Sequence, residues 1–368
     1  MSRSLQIVGA GLLGTSVGLA LAHAEWSVWI ADADESAQRL AGELGAGSAG
    51  WSPDDVDLVL LCVPPSSLAQ VMAETIRLYP LATISDVLSI KTEPQVQAEK
   101  LGCGERFVGG HPMAGRERSG AVAAQADLFD ARPWAICASG AAGPERVAVV
   151  EQLAIDCGAD PMIVEARAHD AAVALVSHLP QVAASAVAGQ LIGANPVAMA
   201  LAGQGLRDTV RIAGSDPALW TEIFIANAGT LAPLVGRLAA ELAGLAEALG
   251  GGAKADGTGE GRASTDSGRD VDKTIERFLD QGRRGFAQIP GKHGAPATAY
   301  TVVPVVIPDE PGALARLFAT VAKAGASVED IDIEHSPGHP VGIVELSVRP
   351  DEAAGLVSAL DADGWSSH

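Results

Sequence analysis

The chain has 368 residues, a formal net charge of −20, and 48% hydrophobic but only 4% aromatic residues. At roughly 100–200 residues per domain, this length predicts two or three domains, with cores filled by Ala, Leu and Val. The charge excludes nucleic acid and anionic membrane surfaces as partners, because both would repel the chain. An anionic ligand would need the few cations gathered in one place.

Cys62, Cys103, Cys137 and Cys157 form no CxxC pair. Neither a metal site nor a disulfide framework is expected, and reduced thiols fit a cytoplasmic protein. Met1–Gln6 lacks the apolar core of a signal peptide. No apolar stretch free of charge and turn residues has the length of a membrane span, so no membrane association is expected.

In chain order, Leu5–Gly9 reads as a buried parallel strand and Leu12–Ala24 as a helix. Ser27–Ala31, Leu58–Val63, Ala82–Asp86, Phe107–Gly109 and Trp134–Ala138 read as further strands, with a helix at Ser36–Leu44. Strand–helix alternation with apolar strand runs predicts a doubly wound α/β domain, assigned to residues 1–163. From Ala166 to Ile192 the chain is Ala-rich and helical. Asp216-Pro217 supplies an N-cap and a first-turn proline for a second long helical stretch to about Leu249. These make an all-helical domain over residues 164–286. It includes a Gly-rich segment, 250–270, read as a flexible linker, and a short helix at Val271–Arg284. A Gly/Pro stretch, Pro290–Pro296, comes before the last unit, residues 298–368. That unit reads as a small α+β βαββα module: strand Tyr300–Ile307, helix Ala313–Ala324, strands Ser327–Glu334 and Val341–Val348, helix Glu352–Leu360.

Gly9-x-Gly11-x-x-Gly14 follows a strand and opens a helix. Such a turn seats a pyrophosphate on the helix N-terminus. Asp32 follows Gly9 by 23 residues and ends the second strand. A carboxylate there accepts from ribose hydroxyls and repels a 2′-phosphate, so NAD is favoured over NADP. Leu12 and Leu13 beside the turn, and Val63 and Pro64 after the third strand, complete the expected cofactor contacts.

Three polar clusters interrupt apolar surroundings: Ser85–Lys91, Gly109–Gly120, and Arg207–Arg211 followed by Asp216-Pro217-x-x-Trp220. His111 stands after Gly109-Gly110 and before Pro112, as in a turn at a strand end. A neutral imidazole there suits general-base work. Arg211 is suited to a carboxylate, which guanidinium grips bidentately. Arg207, four residues earlier, shares its face if the stretch is helical. Salt bridges to Asp208 or Asp216 are the bland alternative.

These segments, with the glycine fingerprint, resemble the prephenate dehydrogenase family, including its arogenate-using members, over residues 5–248. The last module resembles an ACT regulatory domain over residues 299–368. The resemblance implies NAD-dependent oxidation with loss of CO₂ from an anionic substrate, prephenate or arogenate, in tyrosine biosynthesis. It implies His111 as catalytic base, with Ser89 beside it. A helix N-cap is the other reading of Ser89. Arg211, Arg207, His178, Gln181, Trp220, Glu117 and Lys91 are the implied substrate-side residues. Lys91 is otherwise a solvated lysine, Trp220 a helical core residue, and Glu117 part of a charge cluster with Arg116 and Arg118. Gln181 stands where the family often has a second histidine, and glutamine carries no charge. Asp309, Glu310, Gly312, Ala313 and Leu314 are the implied effector-binding turn, with L-tyrosine the simplest effector. A module that only pairs with its twin is the alternative. A homodimer is expected. A non-catalytic NAD and amino acid sensor stays open, although His111, Ser89 and Arg211 argue against it. A β-hydroxyacid dehydrogenase would need a lysine in the helical domain, and residues 166–250 contain none.

Overall fold

The computed structural model describes residues 3–114, 120–255, 265–289, 300–335 and 341–367. The chain divides into two compact units, Met1–Ala239 and Ala240–His368.

The first unit begins with a five-stranded parallel sheet in the order β3-β2-β1-β4-β5. Its strands are β1 (Arg3–Val8), β2 (Trp26–Ala31), β3 (Ser48–Ala49), β4 (Leu58–Leu61) and β5 (Thr83–Asp86). The helices between them are α1 (Leu12–Ala20), α2 (Glu35–Glu43) and α3 (Leu68–Leu78). Strand β4 explains the layering. Leu58 and Leu60 enter one core with Leu5 and Ile7, while Val59 and Leu61 enter the opposite core with Val8 and Met72. Both faces of the sheet are therefore covered, as its unbroken apolar strands require. The strand order reverses between β1 and β4, which opens the usual ligand crevice at their carboxyl ends.

After α4 (Thr92–Lys100), β6 (Val108–Pro112) runs antiparallel to β7 (Pro133–Ala138). Following α5 (Pro144–Asp156), β7 pairs in parallel with β8 (Asp160–Ile163). The Gly-Gly-His-Pro segment therefore lies within a strand, not in the turn expected. The glycines answer to crowding. A Cβ on Gly110 would lie 2.7 Å from the Asp86 carbonyl oxygen and 2.9 Å from the Trp134 indole nitrogen.

The helical region holds α6 (Ala166–Val173), α7 (Leu179–Gly189), α8 (Pro196–Ala200), α9 (Gln204–Val210), α10 (Pro217–Ala226) and α11 (Ala228–Ala255). A π-helical turn, Ala174–His178, joins α6 to α7. Pro180 accounts for it: proline lacks the N–H of an α-helical bond and its ring crowds the preceding turn. Asp216 caps α10 as expected, accepting from the Ala218 N–H at 2.9 Å, with Pro217 in the first turn. The second long helical stretch consists of two helices. α10 and α11 meet at Asn227 with a bend of 100°.

The composite helix Ala166–Gly189 has the length and hydropathy, 1.5, of a membrane span, with 28% of that window buried, but it is not free of charge and turn residues, since it contains Arg167, Asp170 and Pro180. It also carries His169, Asp170 and His178, all buried. Among the described residues, this region leaves large apolar side chains open, including Val176, Ile192, Leu201 and Ile225. The cysteines are free. Burial pushes the Cys137 thiol up to about 12, and raises Cys62, Cys103 and Cys157 as well.

In the second unit, helix α12 (Thr265–Phe286) precedes the module β9 (Thr301–Pro308), α13 (Ala313–Ala324), β10 (Val328–His335), β11 (Val341–Val348), α14 (Pro350–Ala362) and β12 (Ser366–Ser367). Its antiparallel sheet runs β10-β11-β9-β12, so a final short strand adds to the expected βαββα. Alternate residues Val303, Val305 and Ile307 meet Leu317, Leu356 and Leu360 in its core. Part of the segment read as a linker is helical. Helix continues to Ala255 and resumes at Thr265; residues 256–264 lie outside the described residues. Each added helical residue makes a bond at the small cost of about 1 kcal/mol for a glycine, so an established helix runs on through Gly250–Gly252.

Candidate functional site

The nucleotide-type turn is made by β1, α1 and the end of β4. Gly9 adopts φ +112°, and a Cβ there would sit 2.2 Å from the Cys62 carbonyl oxygen. A Cβ on Gly14 would sit 2.0 Å from the Gly9 oxygen, so the helix packs on the strand only without one. Gly11 faces open space and heads α1 with no side-chain cap. The N-terminal amides are thus left for a ligand's anion. Asp32 is pinned beside them, its Oδ2 accepting from the Ala10 N–H at 2.6 Å and its Oδ1 from the Asp34 N–H at 2.8 Å. Two carboxylate oxygens retain lone pairs for ribose hydroxyls. The cradle fits a dinucleotide. Leu12 and Leu13 pack their side chains onto the core, and Val63 and Pro64 follow the end of β4.

A cavity of about 520 Å³ lies in the same unit. That volume is in the range of small-molecule sites. Ser89, His111, His178, Gln181, Arg211 and Trp220 all line it. They come from the loop after β5, from β6, from the π turn, from α7, from the 3-10 turn Arg211–Gly214, and from α10. The rings of His178 and Trp220 meet edge to face at 6.0 Å.

Two expected substrate-side residues do not line it. Arg207 is exposed on α9, because the chain tightens into the 3-10 turn at Arg211 and the four-residue helical spacing ends. Lys91 is 1% exposed. Its Nζ donates to Asp86 Oδ1 at 2.6 Å and to the Gly110 carbonyl at 2.5 Å. It holds the strand that presents His111 from behind. Burial pushes the Asp86 carboxyl up, and the Lys91 ammonium opposes that push. Ser89 is not the cap of α4. Asp170 takes that role from α6, accepting from Lys91 N at 2.7 Å and Thr92 N at 2.9 Å. Glu117 lies outside the described residues.

Behind His111 stands a chain of side chains that sequence reasoning missed. His111 Nδ1 is 2.9 Å from His169 Nε2, and His169 Nδ1 is 2.9 Å from Asp170 Oδ1. Asn227 donates from Nδ2 to the Asp170 carbonyl at 2.8 Å, and the same nitrogen is 3.3 Å from His178 Nδ1. One signal was available: His169-Asp170 is an adjacent ionisable pair in an otherwise Ala-rich helix.

These partners fix the ring tautomers. The Asp170 carboxylate only accepts, so His169 carries its proton on Nδ1. In a neutral His169 ring, Nε2 is then a lone pair, and the proton between the two rings belongs to His111 Nδ1. His111 Nε2 is therefore the lone pair left for the cavity. Asn227 likewise donates to His178 Nδ1 and leaves that ring an Nε2–H. Burial, the Lys91 ammonium and the two neighbouring histidines hold His111 well below the usual histidine range, and Asp170 opposes them weakly. Desolvation lowers His178 as well. Desolvation raises Asp170, but hydrogen bonds from His169, Thr92 and Lys91 outweigh it and keep the carboxyl below its ordinary value. The arrangement offers one neutral base, one neutral donor and one guanidinium around a single cavity.

In the second unit, Gly312 caps α13 with φ +86°. The Ala313 N–H is taken by the Glu310 carbonyl at 3.2 Å, and the Glu310 side chain pairs with Arg316. Asp309 is exposed and Leu314 packs on the module's core.

Comparison with known proteins gives a consistent picture. Residues 17–163 match the prephenate dehydrogenase nucleotide-binding domain, residues 165–256 the prephenate dehydrogenase dimerization domain, and residues 301–354 the ACT domain. A Streptomyces niveus protein named probable prephenate dehydrogenase NovF is 37% identical over 99% of both chains. In fold, the chain resembles a prephenate dehydrogenase from Aquifex aeolicus, solved with hydroxyphenyl propionate and NAD⁺ (TM-score 0.66, 23% identity, 78% of this chain and 98% of that one). It also resembles an arogenate dehydrogenase from Synechocystis (TM-score 0.62, 24% identity, 77% and 99%).

Proposed function

The chain belongs to the prephenate dehydrogenase family of NAD-dependent oxidoreductases, and on that premise we propose that it converts prephenate to 4-hydroxyphenylpyruvate, with loss of CO₂, in tyrosine biosynthesis. The observation that carries this reading is His111 Nε2, a neutral acceptor facing a cavity that Arg211 also lines. His111 takes the ring hydroxyl proton, and Ser89 shares that hydrogen bond. Arg211 grips a substrate carboxylate. The Nε2–H of His178 donates to the side chain of the substrate. Trp220 walls the apolar ring. When bound on the Gly9–Gly14 turn, NAD⁺ supplies the hydride acceptor.

Arogenate is the second reading, and one observation favours it. Gln181 is buried and its Oε1 has no partner among the described residues, so an ammonium on the substrate would supply a donor. The discriminating experiment measures NADH formation with prephenate and with arogenate separately. Turnover of prephenate alone supports the first reading, turnover of arogenate alone replaces it, and turnover of neither removes both.

We infer further that an amino acid, L-tyrosine being the pathway product, binds the ACT module at Asp309–Leu314 and inhibits. The remaining first-turn amides of α13 would hold its carboxylate. A coupling of about 1–3 kcal/mol is typical of such regulation. Truncation after residue 297 should leave activity intact and abolish inhibition. Undiminished inhibition, competitive with substrate, would place tyrosine in the active cavity instead. The open apolar face of the helical region supports a homodimer, and the reduced thiols support a cytoplasmic setting.

A further inference from the structure

We propose that His169 and Asp170 form a closed proton store behind His111, holding the substrate's hydroxyl proton during the reaction and returning it to the product. The proposal rests on the oxidative decarboxylation assigned above and deepens it.

The geometry comes first. The three groups stand in line, with nitrogen–nitrogen and nitrogen–oxygen separations of 2.9 Å. His169 and Asp170 are only 4% and 6% exposed, so the line has no open end at solvent. The surroundings favour placing charge at the far end. His111 stands on the strand whose Gly110 carbonyl is bonded by the Lys91 ammonium, and His178 lines the same cavity. His169 instead touches a carboxylate directly. Asp170 is itself anchored by the Lys91 and Thr92 N–H groups, and its backbone carbonyl by Asn227. Asp86, the other carboxylate nearby, is paired with Lys91.

The step then balances. The substrate O–H bond breaks, its proton bonds to His111 Nε2, and its electron pair forms C=O as the C–H bond breaks, the hydride being the one that bound NAD⁺ would accept. The His111 Nδ1–H bond breaks and that proton bonds to His169 Nε2. His169 becomes an imidazolium paired with the Asp170 carboxylate, and His111 is neutral again. When the C–CO₂ bond breaks, its electron pair aromatises the ring and leaves a phenolate oxygen. The two protons retrace their paths: His169 Nε2–H returns to His111 Nδ1, and His111 Nε2–H goes to the phenolate. Oxidation with loss of CO₂ releases no net proton, because the hydroxyl that gives one up regains it as a phenol. A store without an exit therefore suffices, and the buried end of the line is what that stoichiometry calls for. His169 acts through His111 and is a positioning residue.

The first test needs no turnover. In ¹⁵N spectra of the unliganded full chain near neutral pH, His111 and His169 should both carry their proton on Nδ1 and His178 on Nε2, with signals assigned by loss in the single variants. A His111 ring protonated on Nε2 would overturn the proposal, whether or not the enzyme turns over prephenate. The second test uses His169→Gln. Its kcat should fall about tenfold to a hundredfold, less than for loss of the base itself. The acid limb of kcat/KM should move up, because a neighbouring imidazole that holds His111 below the usual histidine range is gone. The solvent-isotope proton inventory should change from curved to linear. A variant with lower kcat but an unmoved acid limb and unchanged inventory would make His169 merely structural and sink the store. If neither prephenate nor arogenate is turned over, the assigned reaction fails while the tautomer test still stands.

Discussion

The nucleotide turn and the cavity lined by His111 sit in one unit and are built on opposite plans. The turn is made of backbone, and its key residues Gly9, Gly11 and Gly14 contribute by having no side chain. The cavity is made of side chains drawn from elements between Ser89 and Ile223, and its two histidines are held by other side chains behind them. A backbone site tolerates change in everything except shape. A side-chain site depends on partners that never touch the ligand, such as Lys91 under Gly110 or Asn227 beside His178.

That contrast can be broken or sharpened by substitution. The largest effect is expected at the base: His111→Asn should lower kcat by about 10²–10⁴ and leave NAD affinity unchanged. An unaltered kcat, measured at saturating substrate, would remove His111 from the chemistry. Next comes Arg211→Ala. Loss of a charge-assisted contact of about 1.5–3 kcal/mol should raise the substrate KM by roughly 10–10²-fold with a smaller change in kcat. Unchanged steady-state constants would leave Arg211 a structural role only. Gly110→Ala should lower stability by about 1–3 kcal/mol, since its Cβ meets the Asp86 carbonyl and Trp134. A melting curve that matched the parent's would mean the sheet yields more readily than its packing implies. The smallest effect is expected at the cofactor. Asp32→Ala should weaken NAD binding and narrow the preference over NADP, without abolishing turnover, because the backbone cradle remains. Titration of both cofactors checks this.

Acid should act on the cavity before the turn. His111 and His178 lie below the ordinary histidine value in the folded chain. Both are neutral in either state above about pH 6.5, so they contribute no pH dependence there. Below it the unfolded chain takes up protons that the folded chain resists, so stability falls as the pH drops. The acid limb of kcat/KM should accordingly lie below about 6.5, the unperturbed histidine value. A limb at or above that value would mean that burial does not hold His111 low.

The same contrast decides what could be read before any fold was known. The glycine turn with Asp32 is local, and its spacing reports its geometry. His111, Arg211, His178 and Trp220 were legible through short motifs. His169, Asp170 and Asn227 were not, because their meaning arises only when α6 packs against the start of α4 and the bend at Asn227 turns its amide back. Lys91 was misread for the same reason. In sequence it is a polar residue at a helix start, and only the fold reveals Asp86 and Gly110 closing over it. The break between α10 and α11 was hidden as well, since nothing in Ile225-Ala226-Asn227-Ala228 forbids a continuous helix.

The buried thiols have a practical consequence. A cysteine reacts as thiolate, and burial keeps Cys103, Cys137 and Cys157 both covered and protonated. All three lie in the first unit, and the second unit contains no cysteine. Alkylation of the native chain is thus a clock for opening of the nucleotide-binding part alone. Modification rates at increasing denaturant would time its unfolding without an added label, and bound cofactor should slow the clock in proportion to its affinity.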